Sequence, residues 1–245
     1  MTPPGPLLAF RDVTRRFGAV QALDPVTLTV ARGEFVSVIG PSGCGKSTLL
    51  RLASSLDHAS SGAVETATES IAYVFQDATL MPWRTVRRNV ELLGELSGAN
   101  RGNVRMRAQE ALESVGLADF ADHLPRQLSG GMRMRASLAR ALVMEPELFL
   151  FDEPFGALDE ITRTRLNLQL MDLFVERSFG ALFITHSVEE SVFLSNRVVV
   201  MSARPGRITA EFTVPFAFPR PADLRYTAEF ADLAGKVARA LEEAS

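Results

Sequence analysis

The chain has 245 residues, 47% of them hydrophobic and 22% charged, the composition of an ordinary globular protein long enough to bury a sizeable core. A net charge of -3 offers no basic face for nucleic acid, and no apolar stretch approaches the ~18 residues that span a bilayer. One cysteine, Cys44, excludes an internal disulfide, and Met1-Thr2-Pro3-Pro4-Gly5-Pro6 has neither the basic region nor the apolar core of a secretion signal, so the expected location is the cytoplasm.

In chain order, residues 7–34 alternate apolar and polar, with Leu28 and Val30 set against Thr27 and Thr29, and predict antiparallel strands with one wet face. Four later segments, Phe35 to Ile39, Ile71 to Phe75, Leu148 to Phe151 and Ala181 to Ile184, are apolar throughout, as parallel strands buried on both faces should be. Helical periodicity separates them, clearest at Val104, Ala108, Ala111, Leu112 and Val115, and again at Leu166, Leu170, Leu173 and Phe174. Residues 78–142 exceed what a simple crossover needs and predict an inserted helical subdomain between core segments 1–77 and 143–245. The last stretch, Ala228 to Ala244, predicts an amphipathic helix packed on the core. The fold class expected is α/β, a mostly parallel sheet with an antiparallel N-terminal β subdomain. In such a sheet the carboxyl ends of the strands share one edge, where ligands bind. That edge would gather the loop after Ile39, Gln76, Asp152-Glu153 and Thr185-His186.

Gly40-Pro41-Ser42-Gly43-Cys44-Gly45-Lys46-Ser47-Thr48 follows the first of these strands. A glycine-rich turn points successive NH groups inward as an anion nest, and the helix behind it adds its positive end. Lys46 and Lys236 are the only lysines among 26 basic residues, and a compact ammonium on a flexible stem suits a phosphoryl group that moves. In this pattern the hydroxyl of Ser47 binds magnesium, and Cys44 needs only to be small. Adjacent Asp152 and Glu153 can divide metal orientation from proton acceptance, or can be two solvated acids opening a turn before Pro154. Ser129-Gly130-Gly131 opens a helix from Met132 to about Met144, with Ser129 as cap and the paired glycines open to a phosphate; as a bare string it is more often a flexible turn than a ligand site. Phe17 reads as a core residue on a strand face, and His186 alone is as readily a packed or capping histidine.

Taken together, GPSGCGKST, Gln76 in VFQD, LSGGM, LFLFDEP, the ALD of Ala157 to Asp159 and His186 in ITHS resemble, along nearly the whole chain, the ATPase subunit of an ATP-binding cassette (ABC) transporter. The resemblance implies a head-to-tail dimer, homodimeric or of paired ATPase subunits, with two ATP molecules sandwiched between the phosphate loop of one subunit and the Ser129–Gly131 signature of the other. It implies Lys46 and its loop on the β and γ phosphates, Ser47, Gln76 and Asp152 around Mg2+, Glu153 polarising the attacking water, and His186 holding the γ-phosphate. Phe17 would stack on adenine. The apolar cluster Asp77 to Arg84, which by itself could merely anchor the helical insertion, would form the groove that receives a membrane permease. The protein would then sit peripherally on the cytoplasmic face of the inner membrane, indirectly linked to an extracytoplasmic solute-binding protein.

The phrases LMPWRTVRRNV, DEPFGALDEITR, VVVMSARPGRI and PFAFPRPADLR resemble the ATPases of nitrate, taurine and alkanesulfonate importers, with thiamine-precursor importers close by. No appended regulatory domain is expected. Met134 stands where relatives often carry glutamine, Ser187 where aspartate is usual, and Ala63 to Ser70 is short for the usual hairpin. A P-loop kinase would leave Ser129–Gly131 and His186 without purpose. A soluble cassette ATPase usually has two cassettes or a long coiled coil, and neither pattern is visible here.

Overall fold

The computed structural model describes residues 5–245; the first four, on which part of the N-terminal reading rests, lie outside the described residues. The alternation near the N-terminus is realised as two long strands, β1 (Leu8–Phe17) and β2 (Val20–Val30), paired antiparallel from Leu8 opposite Val30 to Phe17 opposite Val20. Along β2, Val26, Leu28 and Val30 are buried while Thr27 and Thr29 are exposed, because a period of two sends neighbours to opposite faces. After the first core strand, β3 (Phe35–Ile39), strand β4 (Ser61–Thr66) returns to the other edge of β1, completing a three-stranded sheet of order β2-β1-β4.

The all-apolar runs build the second sheet. Its strands β5 (Ile71–Val74), β6 (Leu148–Asp152), β7 (Gly180–Ile184) and β8 (Arg197–Met201) run parallel with β3 in the order β5-β6-β7-β3-β8, and β9 (Ile208–Thr213) adds to β8 antiparallel. Four buried strands were expected here, so β8 and β9 enlarge the sheet. Val198, Val199 and Val200 are fully buried, and the run Val198 to Met201 carries the same apolar signature as the four expected strands.

Helix α1 (Lys46–Ala53) follows the glycine-rich loop, and α2 (Val86–Leu96), α3 (Arg101–Ser114) and α4 (Gly130–Leu142) fall between β5 and β6, where the helical insertion was expected. Helix α4 begins two residues earlier than the periodicity suggested. Ser129 caps it from Gly130 onward, accepting a hydrogen bond from the Met132 amide at 3.3 Å, and glycines cost little in a first turn whose NH groups have no intrahelical acceptor. Helix α5 (Glu160–Arg177) backs the sheet, with Phe174 edge-on to Phe35 at 5.4 Å between ring centres, and Phe35 itself touches Phe183. Helices α6 (Val188–Leu194) and α7 (Ala228–Glu243) complete the fold, α7 burying Phe230 and Val237 as its amphipathic pattern predicts.

Candidate functional site

The loop from β3 to α1 is shaped by what cannot fit there. Gly45 has φ +106°, and a Cβ on it would lie 2.6 Å from the Leu23 side chain. At Gly40 a Cβ would meet the Cys44 sulfur and the Met201 carbonyl, both at 2.9 Å; buried Cys44 is thus a small packing residue beneath the loop. No side chain caps α1, so its first NH groups face the loop without a protein acceptor of that kind. Lys46 is buried, and its Nζ donates to the carbonyls of Gly40 at 2.7 Å and Pro41 at 2.9 Å. The ammonium is therefore held within the loop on which an anion would rest.

Three strand ends converge beside it. Ser47 Oγ donates to Asp152 Oδ1 at 2.9 Å, while the Tyr73 hydroxyl donates to Asp152 Oδ2 at 3.0 Å. Burial and the Asp152 charge push the Tyr73 phenol well above its ordinary range, so it stays a donor and fixes the carboxylate plane. Tyr73 was not singled out from sequence; its signal is a hydroxyl in an otherwise apolar strand, next to β6 in register. The neighbouring Glu153 is in the left-handed region (φ 45°), uncommon for a residue with a Cβ. Its amide donates to Ile184 O at 3.0 Å, and its Oε2 lies 3.3 Å from His186 Nδ1. Non-glycine residues in this conformation cluster at functional sites, because the surroundings must over-determine them.

The phosphate loop and Glu153 border a cleft of about 430 Å3, lined by Ser42, Gly43, Gly45, Lys46, Ser47, Thr48 and Glu153 on one side and by Phe17, Val20 and Ala22 on the other; Asp152 and His186 do not line it but contact Ser47 and Glu153, which do. Phe17 is 44% exposed at the end of β1, with the Arg15 guanidinium 4.4 Å over its ring; the core position read from its strand context is corrected. It ends a strand, where the buried face runs out. Arg204 also borders the cleft and was not singled out from sequence.

Other expected site residues lie apart. Gln76, exposed two residues beyond β5, does not line the cleft, nor do Ser129, Gly130 and Gly131. Gly131 is buried against α5, where a Cβ would meet Thr162 Cγ2 at 2.6 Å. Within one chain the two glycine-rich helix starts thus remain separate.

Two of the three departures from the family pattern acquire reasons. Ser187 caps α6, its hydroxyl accepting from the Glu190 amide, a task serine and aspartate share. Met134 is buried in an apolar pocket with Leu138, Phe155 and Leu166, where an amide would need a partner. Glu190, one turn into α6, accepts a short hydrogen bond from Thr185 Oγ1, and burial raises its carboxyl above the usual 4.5. Between the ordinary value and the raised one the folded chain binds more proton at this carboxyl than the unfolded chain does, so its contribution favours folding at low pH and fades as pH rises through the raised value. Urea midpoints measured across this range are expected to fall with pH more steeply in wild type than in Glu190→Gln; parallel curves would contradict it.

A phosphate-type loop on a parallel sheet, with a hydroxyl and two acids at its edge, defines the class of P-loop nucleotide hydrolases. Residues 23–156 match the family model described as ABC transporter. A Brucella abortus ATP-binding protein is 43% identical over 239 residues, covering 95% of this chain and 92% of its own. The aliphatic sulfonates import ATP-binding protein SsuB of a Mycobacterium species is 46% identical over 214 residues, 87% of this chain and 86% of that protein. Among solved structures, the cassette MJ0796, a dimer, superposes with TM-score 0.76 at 31% identity over 86% of this chain and all of its own. A second structure of that cassette, a post-hydrolysis dimer bound to ADP and Pi, gives TM-score 0.73 at 32% identity with the same coverage. The chain belongs to the ABC transporter family, as an ATPase subunit.

Proposed function

We propose that the protein is the ATP-hydrolysing subunit of an importer, working as a head-to-tail dimer beneath a membrane permease. The observation that carries this reading is the separation of two anion-ready helix starts. Lys46 and its loop sit at one strand edge with Ser47, Asp152, Glu153 and His186, while Ser129 caps a glycine-headed helix outside that cleft. A second copy related by a two-fold axis gives each signature a nucleotide to complete, with identical contacts on both sides. On this reading residues 78–142 are the helical subdomain and the remainder is the nucleotide-binding core.

The donor set suits MgATP. One hydroxyl and one carboxylate, already joined at 2.9 Å, are the hard oxygen ligands magnesium takes alongside substrate phosphate and water. When bound, Mg2+ neutralises charge on the β and γ phosphates. Lys46 and the loop amides hold those phosphates, Ser47 and Asp152 hold the ion with Gln76 approaching from β5, and Phe17 stacks on the base. Glu153 accepts the proton of the attacking water, and His186 fixes the γ-phosphate and the Glu153 carboxylate. Ser129, Gly130 and Gly131 serve the partner's nucleotide.

A groove bordered by Phe75, Met81, Leu93 and Met144 lies beside the loop that carries Trp83, which is 75% exposed. Buried Asn89 pins that loop with four hydrogen bonds to Met81, Arg84 and Thr85, and Arg140 ties it to α4 through Ala78 and Thr79. A rigidly held apolar surface supports permease docking and a peripheral place on the cytoplasmic face of the inner membrane. Among the described residues no helix is long and apolar enough to cross a membrane. The Mycobacterium relative's name supports a sulfonate-type solute, within the nitrate, taurine and alkanesulfonate class, delivered by an extracytoplasmic solute-binding protein.

Pull-down of the tagged chain from mildly solubilised native membranes, with partners identified by mass spectrometry, tests the assembly. A multi-spanning permease is the expected partner, and solute-binding proteins recovered with it can be screened against nitrate and sulfonates. Recovery of soluble partners alone would overturn the importer reading.

A further inference from the structure

The turn from β8 to β9 does more than join two strands. Gly206 donates to Ala22 O at 2.9 Å and accepts from the Asp24 amide at 3.0 Å, and a Cβ on it would lie 1.9 Å from the Cys44 carbonyl. Ala203 donates to Ala244 O at 2.8 Å, beside the end of α7. The turn is therefore fixed to the phosphate loop, to the antiparallel sheet and to the C-terminal helix. From it projects Arg204, whose Nε and Nη2 donate to the Gly43 carbonyl at 3.3 and 3.0 Å.

Arg204 borders the cleft together with Phe17 and Lys46. Among the described residues it forms no ion pair, and its Nη1 has no protein acceptor. A guanidinium without a carboxylate, held by a main-chain carbonyl in an anion-binding cleft, is a second fixed cation beside Lys46. A nucleotide with its base at Phe17 and its terminal phosphates at Lys46 would lay its ribose and α-phosphate along the rest of the cleft wall, to which Gly43 and Arg204 belong.

We propose that Arg204 is a nucleotide-binding residue, donating from its free guanidinium edge to the ribose and α-phosphate while its other edge braces the phosphate loop through Gly43. The contact is made equally to ATP and ADP, because it lies away from the bond that breaks, so it strengthens binding and contributes little to the chemical step. Arginine suits the place because its rigid fork can serve a carbonyl on one edge and an oxyanion on another, which an ammonium cannot do with fixed geometry. The inference rests on the cleft being the nucleotide site.

The test is calorimetric titration of the purified full-length chain with MgADP, in wild type, Arg204→Gln and Arg204→Lys, at several salt concentrations. In Arg204→Gln the Kd is expected to rise about tenfold, the scale of a partly screened charge-assisted hydrogen bond. Its salt dependence should flatten, because one screened cation–phosphate pair is gone, and Arg204→Lys should recover part of both. A purely structural brace would weaken binding with an unchanged salt dependence and a lowered melting temperature, and that result would overturn the proposal, as would a Kd within about twofold of wild type. Wild-type chain that binds no MgADP would overturn the reading of the cleft itself along with it.

Discussion

Glu153→Gln is expected to lower steady-state ATP turnover by ~10²–10⁴-fold, the usual contribution of a general base. Nucleotide binding should survive. The substitution leaves Lys46, Ser47 and Asp152 untouched, and an amide of the same shape still fits at the strand end, where the residue's amide is held to Ile184 O. What is lost is proton acceptance, together with the charge that faces His186 Nδ1 across 3.3 Å. If the proposed head-to-tail dimer closes on bound nucleotide and reopens on hydrolysis, ATP-bound dimers should accumulate. Phosphate release and size-exclusion chromatography with and without MgATP check both halves. Turnover near wild type would remove Glu153 from the base role, and lost turnover with no ATP-dependent dimer would mean that the carboxylate serves binding or folding.

The parts of this site that sequence made legible are those whose chemistry is local. Gly40 to Thr48 announces itself because backbone geometry, ammonium and hydroxyl sit on consecutive residues, and Asp152-Glu153 because two acids close an apolar strand. Phe17 was legible only through family resemblance: alternation assigns a face, and it cannot tell that the strand has outrun its cover. Strand β8 was not among the expected strands although Val198 to Met201 is as apolar and as buried as its neighbours, and it is flanked by Asn196 and by the Pro205-Gly206 turn. Arg204 and Arg220 are a different case. Their partners are main-chain carbonyls, which any residue can supply, and those partners lie 161 positions away for Arg204 and 25 to 28 for the helix-end carbonyls of Arg220. No pattern of residue types marks such a bond.

Arg220 carries the second large effect, and it is one of stability. Its side chain is 1% exposed and has no acid beside it, yet every guanidinium donor is used: Nε and Nη2 on Phe216 O, Nη1 on Val192 O and Phe193 O, and Nη2 again on Ser195 O, at 2.8 to 3.1 Å. Three of those acceptors are the carbonyls at the end of α6, which have no intrahelical donor and carry the negative end of the helix dipole. A cation with five donors in a rigid fork satisfies them together, and the ring of Phe218 covers it at 4.0 Å. Burial pulls the guanidinium's pKa down to about 10, leaving it charged at neutral pH. Arg220→Ala opens a cavity and strands three buried carbonyls and the partly buried one of Phe216 at once, and is expected to cost about 3–5 kcal/mol, a large share of a typical folding free energy. In a chain of this size that lowers the melting temperature by roughly 10 °C. Arg220→Lys should recover less than half, because three tetrahedral donors cannot meet acceptors arranged for a planar fork. Urea and thermal unfolding of the three proteins decide it, and a loss below about 1 kcal/mol in Arg220→Ala would show that water replaces the guanidinium at the helix end. Because only the cap Ser187 separates His186 from α6, the same variants should also loosen the histidine, so that turnover falls even at temperatures where the fold persists.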